Sequence, residues 1–310
     1  MGELRRRARG TAWCRPGLSN RPLRMLWWVQ EVREEQVFDC VLLPVSFRER
    51  DTKLKEMIAF LAHLGTNRVV LLHVSAGVVT AATEAKLQEL AAKLADAGGP
   101  RIDSRARSGS PAFEITTIAG EEAVDFIYIP WKRKSWIQRT LVGSTTRDVI
   151  RLSELPVLVS KHTRSGGAGR RFRVLYPTSF SDTDRYVVPY LATRGLAADE
   201  LILLTVRDRA PDPTADNREH RARVANLERL AHEVQENYKA VTELELIGNP
   251  RRDIPRVARR RDVDFLILGK SDRTDALAAM MGSVAEEVAN SAPCSVFIVG
   301  RPYLPQGGAS

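Results

Sequence analysis

A glycine-serine pair followed by a helix-forming stretch occurs twice in the chain. Gly143-Ser144 precedes residues 146–153, and Gly282-Ser283 precedes residues 284–290. Glycine lets a backbone approach a phosphate oxygen, and the first turn of a helix presents N–H groups that have no partner of their own. The chemistry such a pair supports is anion binding. The same pair is also an ordinary helix cap, in which the serine satisfies one free N–H. Other reactive residue types do not assemble into a centre. His63, His73, His162, His220 and His232 show no metal-ligand spacing. His63 reads as helical and His73 as part of a strand, and both as structural. Cys14, Cys40 and Cys294 lie far apart and read as reduced thiols. There is no Gly-x-Ser-x-Gly elbow and no Walker loop. Glu121, Glu122 and Asp125 read as a solvated face at a helix end. Trp131 and Trp136 flank a basic loop, a pattern that can stack bases but more often covers a domain contact.

What must position these residues is visible as an internal repeat. Val41-Leu42-Leu43-Pro44-Val45-Ser46-Phe47 matches Val174-Leu175-Tyr176-Pro177-Thr178-Ser179-Phe180 at an offset of 133. Leu71-Leu72-His73-Val74 matches Leu203-Leu204-Thr205-Val206 at 132. Asp125-Phe126-Ile127-Tyr128-Ile129 matches Asp264-Phe265-Leu266-Ile267-Leu268 at 139, and Gly143-Ser144 and Val157-Leu158-Val159 recur at that same offset. The anchors stay in order, so the chain reads as two copies of one domain.

The anchors are short runs of Val, Ile and Leu, which suit strands buried on both faces of a parallel sheet. Helical stripes lie between them: Leu54, Met57, Ile58, Leu61 and Leu64 within residues 51–65, and Leu87, Leu90, Ala91 and Leu94 within 82–98. Gly65 falls where a C-terminal cap belongs. The second half repeats this over residues 184–194 and 218–238, where Leu227, Leu230, Ala231 and Val234 share a stripe. Each half predicts the order β-α-β-α-β-α-β-α-β, an α/β doubly wound parallel sheet of five strands. The expected domains are residues 37–161 and 172–301, joined by a Gly/Ser-rich linker at 162–171. Residues 302–310 form a tail.

Charge bounds the partners. Of a net +9, residues 1–24 supply +6 through Arg5, Arg6, Arg7, Arg9, Arg15, Arg21 and Arg24 against Glu3. The rest carries only +3, ordinary for a globular surface. The segment 1–36 reads as a disordered basic leader, or as an extension upstream of a start at Met25. Nucleic-acid binding is expected only through residues 1–24. No run of 18 apolar residues exists, and Met25-Leu26-Trp27-Trp28-Val29 is too short for a signal-peptide core. A cytoplasmic protein without membrane contact is expected.

Each half resembles a universal stress protein domain. The motif runs Gly269-Lys270-Ser271-Asp272, nine residues, Gly282-Ser283, then Ser291-Ala292-Pro293-Cys294-Ser295-Val296. In the first half it is Pro130-Trp131-Lys132-Arg133, nine residues, Gly143-Ser144, then Leu155-Pro156-Val157. The resemblance implies a Rossmann-like fold and a ligand, ATP with Mg²⁺, at the strand carboxyl ends. It places candidate ligand contacts at Ser46, Val74, Arg133, Gly143 and Ser144 in the first half. In the second half, the expected site, they are Ser179, Val206, Gly269, Lys270, Gly282 and Ser283. It implies no catalytic residue and no protein-held metal.

Departures from the family pattern weaken that site. The strand-one aspartate is replaced by Ser46 and Ser179, which bring no charge. Asp272 stands where the loop has a second glycine. A carboxylate ~4 Å from a phosphate charge costs on the order of 4 kcal/mol at an effective dielectric of ~20. In the first half Pro130 removes an N–H donor and Arg133 fills phosphate space; alternatively, Lys132, Arg133 and Lys134 themselves grip an anion. The resemblance therefore points to a non-enzymatic stress-response protein acting through partner binding or ligand sensing. A nucleotide-gated switch or slow ATPase is the rival. Family domains pair through their last strands, so residues 157–160 and 296–299 are expected to pair within one chain or between two.

Overall fold

The computed structural model describes residues 38–95, 99–130, 144–161, 172–192, 196, 198–207, 213–270 and 283–300. The first half runs β1 (Cys40–Pro44), α1 (Asp51–His63), β2 (Arg68–Ser75), α2 (Ala81–Ala95), β3 (Arg101–Ser108), α3 (Pro111–Glu121), β4 (Phe126–Pro130), α4 (Ser144–Leu152) and β5 (Val157–Ser160). The second repeats it as β6 (Arg173–Pro177), α5 (Asp184–Leu191), β7 (Glu200–Arg207), α6 (Pro213–Val234), β8 (Ala240–Ile247), α7 (Pro250–Arg260), β9 (Phe265–Gly269), α8 (Ser283–Ser291) and β10 (Ser295–Val299). The ten strands make one sheet in the order β3-β2-β1-β4-β5-β10-β9-β6-β7-β8. All neighbours are parallel except β5 and β10, which pair antiparallel with Phe297 opposite Leu158. The last strands thus meet inside one molecule, and the two halves share a continuous sheet.

Alternation along the strands divides the core in two. Val41, Leu43, Val174, Tyr176, Phe265 and Phe297 face the layer of α1, α2, α5 and α6. Leu42, Ile127, Leu175, Leu266 and Ile298 face α3, α4, α7 and α8. Both faces of each inner strand are covered, which is why the anchors read as unbroken apolar runs. The edge strands β3 and β8 are mixed in burial and carry Arg101, Arg105 and Arg107, and Glu243 and Glu245. Charge on an edge strand discourages pairing with further strands.

Backbone details repeat with the halves. Phe47 and Phe180 hold φ of 59° and 54°, and Ala123 and Asp262 hold 49° and 50°. Asp125 Oδ2 accepts the Cys40 N–H at 2.7 Å, as Asp264 Oδ2 accepts the Arg173 N–H at 3.1 Å. Asp125 and Glu122 are therefore not a solvated face. Glu122 pairs with Arg68 and with Arg105 (2.6 Å) and ties the start of β2 and the middle of β3 to the end of α3. Gly65 caps α1 at φ 91° as expected. The expected helix at 184–194 ends at Leu191. That at 218–238 becomes α6 followed by a 3₁₀ turn, Gln235–Asn237.

Because β5 and β10 are antiparallel, the top of each half's last strands lies beside the end of the other half's last helix. Two lysines use this. Lys161 Nζ donates to the carbonyls of Ala289 (3.0 Å) and Ala292 (2.6 Å) at the end of α8. Lys270 Nζ donates to those of Ile150 and Arg151, both 3.2 Å, at the end of α4. An ammonium at a helix carboxyl end is favourable because carbonyls there lack intrahelical partners. Burial holds the Lys161 amine at about 8.

Candidate functional site

In a doubly wound sheet a ligand sits beyond the strand carboxyl ends where strand order reverses. That point lies between β1 and β4 in the first half and between β6 and β9 in the second. Ser46 and Ser179 follow β1 and β6, and Gly269-Lys270 closes β9, so the structure brings these candidates to the switch points. Val74 and Val206 lie near the ends of β2 and β7, partly buried against the core. Ser144 and Ser283 begin α4 and α8. Arg133, Gly143 and Gly282 lie outside the described residues, as do Trp131, Trp136, His162, Cys14 and the leader.

At the first switch point Ser46 is already engaged. Its N–H and Oγ donate to the Glu49 carboxylate at 2.9 and 2.7 Å. Sequence reasoning overlooked Glu49; the signal was its place three residues after Ser46, in the turn that leads into α1. The left-handed Phe47 turns its ring onto His73, with centroids 4.1 Å apart and planes at 32°. Lys86 Nζ lies 4.8 Å from the Phe47 centroid, a cation–π contact. His73 Nδ1 is 3.0 Å from the Val45 carbonyl. Pro130, buried at the end of β4, offers no N–H.

The second switch point differs. Tyr176 Oη and Thr178 Oγ1 each donate to Asp184 at 2.7 Å. The corresponding first-half residues are Leu43, Val45 and an exposed Asp51, so this polar triad belongs to one half only. Ser179 Oγ donates to Ser181 Oγ at 3.3 Å. The Lys270 N–H donates to the Val299 carbonyl at 2.7 Å, its own carbonyl accepts from Tyr186 Oη, and its ammonium reaches α4. A Cβ at Gly269 would lie 2.9 Å from Thr183 Cβ and 3.3 Å from Val187 Cγ2. Helix α5 therefore packs where the glycine has no side chain.

Burial raises the Asp184 pKa above the ordinary carboxylate value, against the two hydroxyl donors that lower it. A carboxyl whose pKa is higher folded than unfolded supports the fold while protonated and loses that support as pH rises through the folded value. The stability of wild type relative to Asp184→Asn is expected to fall as pH rises from about 3.9, the unfolded carboxylate value, towards neutrality. Thermal melts across the acid range check the sign; a difference that grows with pH would contradict it.

A cavity of about 210 Å³ lies at the other end of the second half, where its strands begin. Phe60 of α1, Phe172, Arg259, Asp262, Asp264 and Cys294 are among its walls. Burial pushes the Cys294 thiol up to about 12, so it is a neutral thiol rather than a nucleophile. Cys40 and Cys294 are both free and buried. Among the described residues no cluster of His, Cys, Asp and Glu is placed to hold a metal ion.

Comparison with known proteins agrees with the architecture. A model of the universal stress protein family matches residues 38–161 and again 171–300. A universal stress protein of Methanocaldococcus jannaschii is 28% identical over 153 residues, covering 42% of this chain and 94% of that protein. Among solved structures, a functionally unknown protein from Pseudomonas aeruginosa PAO1 superposes with a TM-score of 0.65 at 17% identity, covering 86% of this chain and 94% of that one. A universal stress protein from Archaeoglobus fulgidus gives 0.60 at 22% identity, covering 86% and 99%. At these identities the two structures establish the fold.

Proposed function

This chain belongs to the universal stress protein family, and on that premise we propose that it is a non-enzymatic regulator acting in the cytosol through partner binding or ligand sensing. The observation that carries the reading is the state of the described polar groups at both switch points. Ser46 holds Glu49, Ser179 holds Ser181, and Lys270 spends its N–H, carbonyl and ammonium on the protein itself. A phosphate ~4 Å from the Glu49 carboxylate would meet repulsion on the order of 4 kcal/mol at an effective dielectric of ~20. Among the described residues, both carboxylates at the switch points are engaged rather than poised as a general base: Asp184, partly buried, is held by two hydroxyls, and Glu49 by Ser46. The cytosolic placement rests on two buried free cysteines and on the lack, among the described residues, of a helix long and apolar enough to cross a membrane.

The test is mass spectrometry of small molecules released from the purified native protein, together with melting in MgATP. No released nucleotide and no rise in Tm are expected. A native-state ligand at 100 times its Kd would add about 2.7 kcal/mol, so a rise in Tm or a released adenine nucleotide overturns the reading in favour of a nucleotide-gated switch.

A further inference from the structure

Helix α7 carries a concentration of charge that the modest net charge of the globular part conceals. Arg251, Arg252, Arg256, Arg259, Arg260 and the adjoining Arg261 are all exposed. At 3.6 residues per turn, Arg252, Arg256, Arg259 and Arg260 fall within about 100° of arc, and they span about 12 Å along the axis. Only two of the six have a side-chain ion pair among the described residues: Arg256 with Asp253 at 3.0 Å and Arg251 with Glu287 at 3.4 Å. The opposite side of the helix buries Ile254 and Ala258.

The tandem repeat supplies an internal control. Helix α3 occupies the same place in the first half, and the four positions there are Phe113, Thr117, Gly120 and Glu121. The fold therefore does not require arginine at any of them. Local physics favours only part of the set. Arg259 and Arg260 complement the helix carboxyl end, whereas Arg251 and Arg252 stand in the first turn, where the helix dipole opposes a cation. Arg252–Arg256 and Arg256–Arg260 are like-charge pairs at i,i+4, which weaken a helix.

We propose that this face of α7 is a docking surface for the phosphate backbone of nucleic acid. Arginine is the side chain best matched to phosphate oxygens. A single phosphate would need donors that converge on a point, whereas these form a line two turns long and match a chain of regularly spaced charges. The four positions include no aromatic residue to stack a base, so the contact reads charge spacing and not base identity.

Fluorescence anisotropy of the full chain with a short labelled DNA duplex, titrated over a salt series, tests this. The background for all variants is a full-length chain with Arg5, Arg6, Arg7, Arg9, Arg15, Arg21 and Arg24 changed to Ser, which removes the leader's charge. Four phosphate contacts predict a slope of log K against log salt near −3.6, or roughly a 150-fold loss of affinity from 50 to 200 mM. Changing Arg252, Arg256, Arg259 and Arg260 to Ser together is expected to flatten the slope nearly to zero. Each single Arg→Ser change is expected to flatten it by about 0.9. The four-fold Arg→Lys variant keeps the slope and controls for folding. Equal binding by the four-fold Ser variant overturns the proposal. So does poly-glutamate competing as well as unlabelled duplex at matched charge, which assigns the face to an acidic protein instead.

Discussion

Phe297→Ala is expected to cost about 3–5 kcal/mol of stability, the usual range for removing a fully buried aromatic ring. Phe297 is 0% exposed at the middle of β10. Its ring centroid lies 5.5 Å from Phe38 and 6.1 Å from Phe126 of the first half, and 5.6 Å from Tyr190 and 5.8 Å from Phe265 of the second. One side chain thus fills the space on which both halves close. Its first-half counterpart, Leu158, faces it across the antiparallel pair. A cavity at this point removes contacts from both halves of the sheet together, so those contacts are expected to couple the unfolding of the two halves. Urea unfolding of wild type is expected to show one transition. The variant is expected to shift its midpoint far down or to split it in two. A loss under about 1 kcal/mol, the size of a minor core trimming, would mean that the halves are stable without the aromatic seam.

Gly269→Ala is expected to destabilise by about 1–3 kcal/mol through overpacking. The added methyl carbon would lie 2.9 Å from Thr183 Cβ, a separation that real side chains do not hold, with Val187 Cγ2 at 3.3 Å on the same side. Neighbours on a helix start can yield only by moving the helix. Thr183→Gly in the same chain removes the obstructing carbon and is expected to restore most of the loss. The measurement also separates two roles for this glycine. If it instead served the approach of a phosphate, the alanine variant would melt like wild type and only its response to MgATP would change.

Much of the core was legible because each inner strand is a run of apolar residues bounded by turns, and α1, α2 and α6 show apolar stripes. What escaped reading failed for physical reasons. Strands β3 and β8 lie on sheet edges and mix apolar with charged residues, so they offer no run to recognise. Helix α7 holds two prolines and six nearby arginines and buries only Ile254, Pro255 and Ala258, so its apolar side is short and its charge was absorbed into an unremarkable total. Glu49 and Asp184 were invisible as site residues because their importance lies in partners: a serine three residues away, and a tyrosine on the preceding strand with the threonine just after it.

By itself the amino-acid order determined the duplication, the alternation of strand and helix, and the positions at which strands end, because these follow from local apolar spacing and from self-similarity. Tertiary structure alone decided that the last strands join within one molecule, since the same backbone hydrogen bonds would serve two chains equally. It also decided that Lys161 and Lys270 cap helices of the opposite half, 128 and 120 residues away in sequence. No local pattern encodes which distant carbonyls an ammonium will meet; only the antiparallel meeting of β5 and β10 brings them within reach.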